Sequence, residues 1–250
     1  MTEAAAPSLR LEDLTVARGG RALLRGVSLA IPVGEVTALL GPNGTGKSSL
    51  VLTVAGLLRP LSGSVMLGDQ DLVGRRPEKV RAAGVAVVPE GRRLLPDLTV
   101  ADNLQVATYS LSSQAAHEGR AFALELFPEL RERMNVAARS LSGGEQQMVV
   151  LAQALVSRPS FMLIDELSLG LAPVVLQRLV PRIREIAESG VGVLLIQQFA
   201  TVALGLAHRA HVAEGGRIQF SGLASELRER PELLQSAYLL RGSPGADGAS

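Results

Sequence analysis

The sequence of 250 residues predicts an α/β fold built on a mostly parallel central sheet. Three observations predict it. Short apolar runs alternate with helical patterns over most of the chain. Two of these runs, residues 36–40 and 191–196, are apolar but for Thr37, as expected of strands buried on both faces. A glycine-rich stretch then joins the first of them directly to a helical pattern.

Each element follows from its pattern. Residues 9–16 (LRLEDLTV) alternate apolar and polar, and residues 23–31 contain a second alternating stretch. These two half-buried strands predict an antiparallel β-subdomain at the N-terminus. Pro32, Val33 and Gly34 make a turn before the buried strand 36–40. A helix is expected over about 47–57, a short strand over 64–67 and a buried strand over 85–88, which Pro89 ends. Residues 98–140 carry helical patterns and no convincing strand, so they read as an inserted helical subdomain that continues into a helix over 142–157. A strand over 161–164, a helix over 174–187 and the strand 191–196 follow. After a short helix come strands at 210–213 and 217–220 around Gly215 and Gly216, then closing helices. Residues 1–8 and 242–250 are small and polar and read as flexible tails, leaving one domain over 9–241.

Composition excludes several function classes. Hydrophobic residues are 47% of the chain, enough for a sizeable core, while the net charge is only +1. That charge gives no electrostatic footprint for nucleic acid. Seven aromatic residues are too few for a base-stacking surface, and the absence of cysteine rules out disulfides and thiolate zinc sites. No apolar run approaches the ~20 residues of a membrane span, and the opening MTEAAAPSLRLEDL lacks the regions of a secretory signal. A soluble intracellular protein is expected, with any membrane role exercised through a partner.

The strongest chemical signal is Gly41, Pro42, Asn43, Gly44, Thr45, Gly46, Lys47 and Ser48, with Ser49 next in the helix. The pattern GxxxxGK[ST] wraps backbone N–H groups around a phosphate and sets a helix N-terminus behind it. Lys47 can reach the β- and γ-phosphates and Ser48 can ligate Mg²⁺. The chain has only two lysines, Lys47 and Lys79, against 23 arginines. Whatever favours arginine elsewhere did not act at Lys47, where a compact ammonium fits a phosphate nest better than a planar fork. After the strand 161–164 come Asp165 and Glu166. Strand ends of a parallel sheet share one crevice, so Asp165 can hold Mg²⁺ through water and Glu166 can polarise an attacking water.

Between these motifs lies Leu141, Ser142, Gly143, Gly144, Glu145, Gln146, Gln147. With this LSGGEQQ signature the sequence resembles the ATP-binding subunits of ABC transporters over about residues 9–240. The resemblance implies a phosphate-loop NTPase fold of the ABC type, with ATP and Mg²⁺ as cofactors. It also implies a head-to-tail dimer, in which each ATP is held between Lys47 of one subunit and Ser142, Gly143, Gly144 and Glu145 of the other. The stretches 88–93 (VPEGRR) and 168–173 (SLGLAP) resemble the branched-chain amino acid importer subfamily. Implied partners are permease membrane subunits, a second ATPase subunit (identical or a sister chain) and, indirectly, a substrate-binding protein. The implied location is cytoplasmic and peripheral, on the inner face of the membrane.

Several positions depart from the wider family pattern. Glu90 stands at the Q-loop glutamine position, where a negative charge approaches a polyanion, so it is expected to contact metal-bound water or to swing away, or else to be a charged residue of a solvated turn. Gln198 replaces the switch histidine; it can donate a hydrogen bond but cannot become cationic. No aromatic residue precedes Tyr109, so Arg18 is the candidate for stacking on adenine, or else a solvated turn residue. Leu167 stands where the family has proline, and Gly170-Leu171 where Leu-Asp is usual. His117, His208 and His211 have no metal-ligand spacing and read as surface or packing residues. The run 92–96 (RRLLP) offers a basic and apolar patch for a membrane subunit, or an ordinary loop. Three functions are weighed: an importer ATPase for branched-chain amino acids, or for urea or other amides; a non-transport ABC ATPase; and a nucleotide sensor with little turnover. The second lacks the long coiled-coil insertion or doubled nucleotide domain it would call for.

Overall fold

The computed structural model describes residues 8–230 except 169, together with 232 and 234. The remaining positions, including most of the two expected tails and Leu169, lie outside the described residues. Strand β1 (Ser8–Arg18) turns at Gly19 and Gly20 into β2 (Arg21–Pro32). Leu9 pairs with Ile31 and Leu11 with Leu29, so the alternation of both strands buries one shared face. Ser8, expected in a flexible tail, is instead the first residue of β1 and pairs with Pro32. Strand β3 (Val36–Leu40) is fully buried. Helix α1 (Lys47–Val54) is shorter than expected, because Gly56 takes a positive φ of 75° and ends it.

Next come β4 (Ser62–Leu67) and the two-residue β5 (Gln70–Asp71), then α2 (Pro77–Ala82), whose proline starts the helix. The last two elements are too short to leave a periodic signal. Strand β6 (Val85–Val88) precedes α3 (Val100–Ala107) and α4 (Ser113–Leu126). Thr99 and Asp102 form a capping box at α3, and a bridge between Thr99 and Ala137 closes the base of this helical segment. The buried Asn103 amide bonds Leu95, Leu98 and Thr99 carbonyls and accepts from the Leu95 N–H, which fixes the approach to α3. Two 3-10 turns lead to α5 (Gly143–Leu155).

The rest alternates as the patterns require: β7 (Phe161–Asp165), α6 (Pro173–Glu188), β8 (Gly192–Gln197), α7 (Ala200–Leu206), β9 (Arg209–Glu214), β10 (Arg217–Leu223) and α8 (Ala224–Glu229). Among the described residues there are two sheets. One is antiparallel with order β2-β1-β4-β5. The other has order β10-β9-β3-β8-β7-β6 and is parallel except for β10. Its strands supply both cores. Ala38, Met162, Ile164, Val193 and Leu195 face α5 and α6, while Leu39, Phe161, Leu163, Leu194 and Ile196 face α1 and the N-terminal sheet. Burial on two faces explains why β3, β7 and β8 are apolar apart from Thr37 and the end residues Asp165 and Gln197.

Candidate nucleotide site

Parallel pairing brings the carboxyl ends of four strands to one edge. Leu40 is level with Gln197, Asp165 with Ile196, and Val88 with Ile164. Gly41, Glu90, Glu166 and Gln198 follow those ends and gather at the crevice such sheets offer to ligands. A cavity of about 260 Å³ opens there, lined by Arg18, Leu23, Asn43, Gly44, Gly46, Lys47, Ser48, Ser49, Glu90, Glu166 and Gln198. Leu23 was not found from sequence; a half-buried leucine on an alternating strand carries no ligand signal. It matters because Gly46, at φ 101°, packs so closely that a Cβ there would sit 2.7 Å from Leu23 Cβ. The N-terminal hairpin thereby forms one wall of the phosphate site and brings Arg18 to its rim.

The other loop residues stand behind the cavity. A Cβ on Gly41 would lie 2.3 Å from the Ala213 carbonyl, so this position belongs to packing against β9. Pro42 and Thr45 line a separate hollow with Arg21 and Arg25. Thr45 Oγ1 donates to the Pro42 carbonyl at 3.0 Å and stiffens the loop from within. Lys47 is 5% exposed and donates from Nζ to the Gly41 carbonyl at 2.7 Å and the Pro42 carbonyl at 3.0 Å. Burial lowers its pKa, against the opposing pull of Glu166, Asp165 and Glu90.

Asp165, the last residue of β7, lies beside the cavity-lining Ser48. Burial raises its pKa, a hydrogen bond from Ser48 lowers it, and its Oδ1 is buried without a protein partner. A buried orphan carboxylate oxygen beside a hydroxyl is a hard-oxygen donor pair, which fits Mg²⁺. Among the described residues no cluster of three or more His, Cys, Asp or Glu could hold a metal. A cation here therefore needs further oxygens from a ligand. Glu166 sits at φ 55°, a left-handed conformation rare for a non-glycine residue, and its N–H donates to the Ile196 carbonyl at 3.0 Å. Burial raises its pKa, opposed by Lys47 and by the Gln198 N–H. Leu167 is wholly buried in the larger core, so the leucine anchors this strained turn by packing. Behind it Ser168 Oγ donates to Gln197 Oε1 at 2.8 Å, tying the turn to β8.

The signature residues lie elsewhere. Ser142 caps α5 in a reciprocal box: Glu145 accepts from the Ser142 N–H at 2.8 Å and Ser142 Oγ accepts from the Glu145 N–H at 3.3 Å. Arg133 Nε donates to Glu145 at 2.7 Å, and that bond is the main reason the Glu145 carboxyl stays below its usual range. None of Ser142, Gly143, Gly144 and Glu145 lines the phosphate cavity. Gln146 and Gln147 instead share a second hollow of about 250 Å³ with Pro89, Gly91, Arg92 and Glu166.

Two histidines make hydrogen bonds, His208 on the surface and His211 in the interior. His208 Nδ1 accepts from the Val36 N–H at 3.0 Å, and buried His211 bonds Ser221 Oγ at 2.8 Å with its pKa lowered to about 4 by desolvation. His117 is exposed on α4. On the side of the helical segment lies an apolar groove of about 480 Å³, lined in part by Leu57, Val87, Arg93, Leu95, Val106 and Tyr109. The run 92–96 divides around it: Arg93 and Leu95 face the groove, Leu94 packs on the core, and Arg92 turns away.

A doubly covered parallel sheet with this loop, lysine and acidic pair at one edge defines an ATPase of the phosphate-loop class. Residues 24–168 match the family described as ABC transporter, and the chain belongs to that family. It is 40% identical over 216 residues to the high-affinity branched-chain amino acid transport ATP-binding protein BraG of Pseudomonas aeruginosa, an alignment covering 86% of this chain and 92% of BraG. It is 34% identical over 208 residues to the probable branched-chain amino acid transport ATP-binding protein LivF of Archaeoglobus fulgidus, covering 83% and 88%. A crystal structure of a nucleotide-free ATP-binding cassette from an ABC transporter superposes with a TM-score of 0.85 at 23% identity, covering 95% of this chain and all of that one, which establishes the shared fold.

Proposed function

We propose that this chain is the ATP-hydrolysing subunit of an importer that takes up amino acids, branched-chain ones in particular, through partner permeases in the cytoplasmic membrane. The observation that carries the reading is the convergence of Lys47, Ser48, Glu166, Glu90 and Gln198 on one cavity, with Asp165 hydrogen-bonded to Ser48, while Ser142 and its glycines stay outside it. Half a site in each place calls for a second subunit. Two copies, or this chain and a sister ATPase, pair head to tail and place one subunit's Ser142, Gly143 and Gly144 over the other's nucleotide. The names of BraG and LivF support the substrate class. A substrate-binding protein delivers cargo on the far side of the membrane.

In this reading residues 41–49 hold the triphosphate and Arg18 stacks on the base. Lys47 leaves the Gly41 and Pro42 carbonyls for the β- and γ-oxygens. Mg²⁺ would be held by Ser48 and Asp165, with Glu90 on its water shell, and would supply charge neutralisation between the phosphates. Glu166 orients the attacking water, and Gln198, whose N–H already fixes the Glu166 carboxylate, presents its side-chain amide toward the γ-phosphate. Closure rather than chemistry does the mechanical work: ATP must favour the closed dimer over the open one by more than ADP does. The groove bearing Arg93, Leu95, Val106 and Tyr109 receives the permease. The test is reconstitution with branched-chain amino acid permease subunits. Proteoliposomes should take up leucine only with ATP, and uptake should cease with Lys47→Ala. ATP hydrolysis by the purified chain with no amino acid uptake in the reconstituted complex would overturn the importer assignment.

A further inference from the structure

The turn after Glu90 sends two neighbouring arginines in opposite directions. Leu94 N–H donates to the Arg92 carbonyl at 2.7 Å, and Arg92 itself sits at φ 44°. Arg93 therefore faces the apolar groove while Arg92 reaches across the second hollow. Its Nη2 donates to the Gly170 carbonyl at 3.1 Å, in the segment that follows Glu166. Its Nη1 lies where Gly143 has no side chain: a Cβ there would be 2.9 Å away. One guanidinium thus touches the first residue of the signature helix and the backbone behind Glu166, and its own main chain continues into Glu90. A cation gains nothing from the positive end of a helix; the Gly170 carbonyl and the bare Gly143 surface favour the placement instead.

We propose that Arg92 is a positioning residue that locks these three segments into one orientation within a subunit, so that signature helix, Glu90 loop and Glu166 turn move together when nucleotide binds. The planar fork suits the task, since it can bond one segment while packing flat on another. The proposal rests on the head-to-tail ATPase reading above and deepens it. Arg92 lines no part of the phosphate cavity, so ATP affinity of the single subunit should not depend on it.

The test compares Arg92→Met, which keeps the stem, with Arg92→Lys, which keeps one charged donor. With Arg92→Met, kcat should fall roughly ten- to hundredfold, the scale of losses from small misplacement. Nucleotide Kd should stay within about twofold and melting temperature nearly unchanged. Arg92→Lys should recover part of kcat. A second readout uses the natural lack of cysteine. Spin labels on cysteines introduced at exposed Asp69 and Gln114 report the distance between the N-terminal sheet and α4. That distribution should be narrow in the parent and broaden in Arg92→Met before any nucleotide is added. An unchanged kcat, an unchanged distribution, or a kcat loss matched by loss of ATP affinity or of thermal stability would overturn the proposal while leaving the ATPase reading intact. A parent protein that does not bind ATP would overturn both.

Discussion

The cavity at the 41–48 loop and the signature end of α5 hold their polar groups in opposite ways. At the cavity Lys47 and Asp165 are nearly removed from water, and burial shifts each pKa against its charged form. Asp165 Oδ1 and Glu166 Oε1 are buried without protein partners, and Glu166 holds a left-handed backbone. At the signature end Ser142 and Glu145 satisfy one another, Arg133 adds a third contact, and the Glu145 pKa moves toward its charged form. Unsatisfied groups are stored where a ligand will complete them. The signature end has Ser142, Glu145 and Arg133 bonded to one another within the subunit.

The largest expected effect comes from Glu166→Gln. Hydrolysis should fall by about 10²- to 10⁴-fold, the range for losing a general base, while ATP-dependent dimers accumulate. The same variant should melt higher at neutral pH. Burial raises the Glu166 pKa, so in the folded state its carboxyl is favourable only while protonated. That contribution is complete below the unfolded pKa of about 4.5 and is lost as pH rises through the folded value, whereas glutamine loses nothing. Melting curves at pH 7 and at pH 4.5 should show the gap and its closure; equal melting temperatures at pH 7 would mean that the cavity stores no such cost.

Next in size, Ser142→Ala should remove the cap, worth about 1 kcal/mol of stability. Turnover should drop while ATP affinity of the monomer stays within about twofold. A proportional loss of affinity, measured by titration calorimetry, would erase the distinction between the two regions. A smaller change is expected from Gln198→His. Its kcat–pH profile should gain a step near pH 6.5 that the parent lacks, because only imidazole changes charge there. Smallest of all, Arg18→Tyr should tighten nucleotide binding by about 0.5–1 kcal/mol through a neutral stacking surface. Unchanged affinity would place the base away from this rim.

Much of the cavity could be read from sequence because its parts are local. Gly41 to Ser48 is one loop between a strand and a helix, and the strand 161–164 hands its direct successors, Asp165 and Glu166, to the same edge. Leu23 and Gln197 carry no signal in the sequence, and Arg92 reads there only as part of the patch 92–96, for a different reason. Each acts through a neighbour far away in the chain: Leu23 against Gly46, Gln197 with Ser168, Arg92 on Gly143 and Gly170. Ser8 was misassigned because a short polar opening looks the same whether or not Pro32 lies across from it.

By itself the amino-acid order determined the sheet's parallel character, the phosphate loop and the capped signature helix, since periodicity, glycine placement and capping act within a few residues. Only the folded chain decided which side of the loop lines the cavity, that the N-terminal hairpin walls it, and that Arg92 and Arg93 part company. Those outcomes depend on which distant backbone leaves room or offers a carbonyl, and close packing between segments decides that after the local rules are spent.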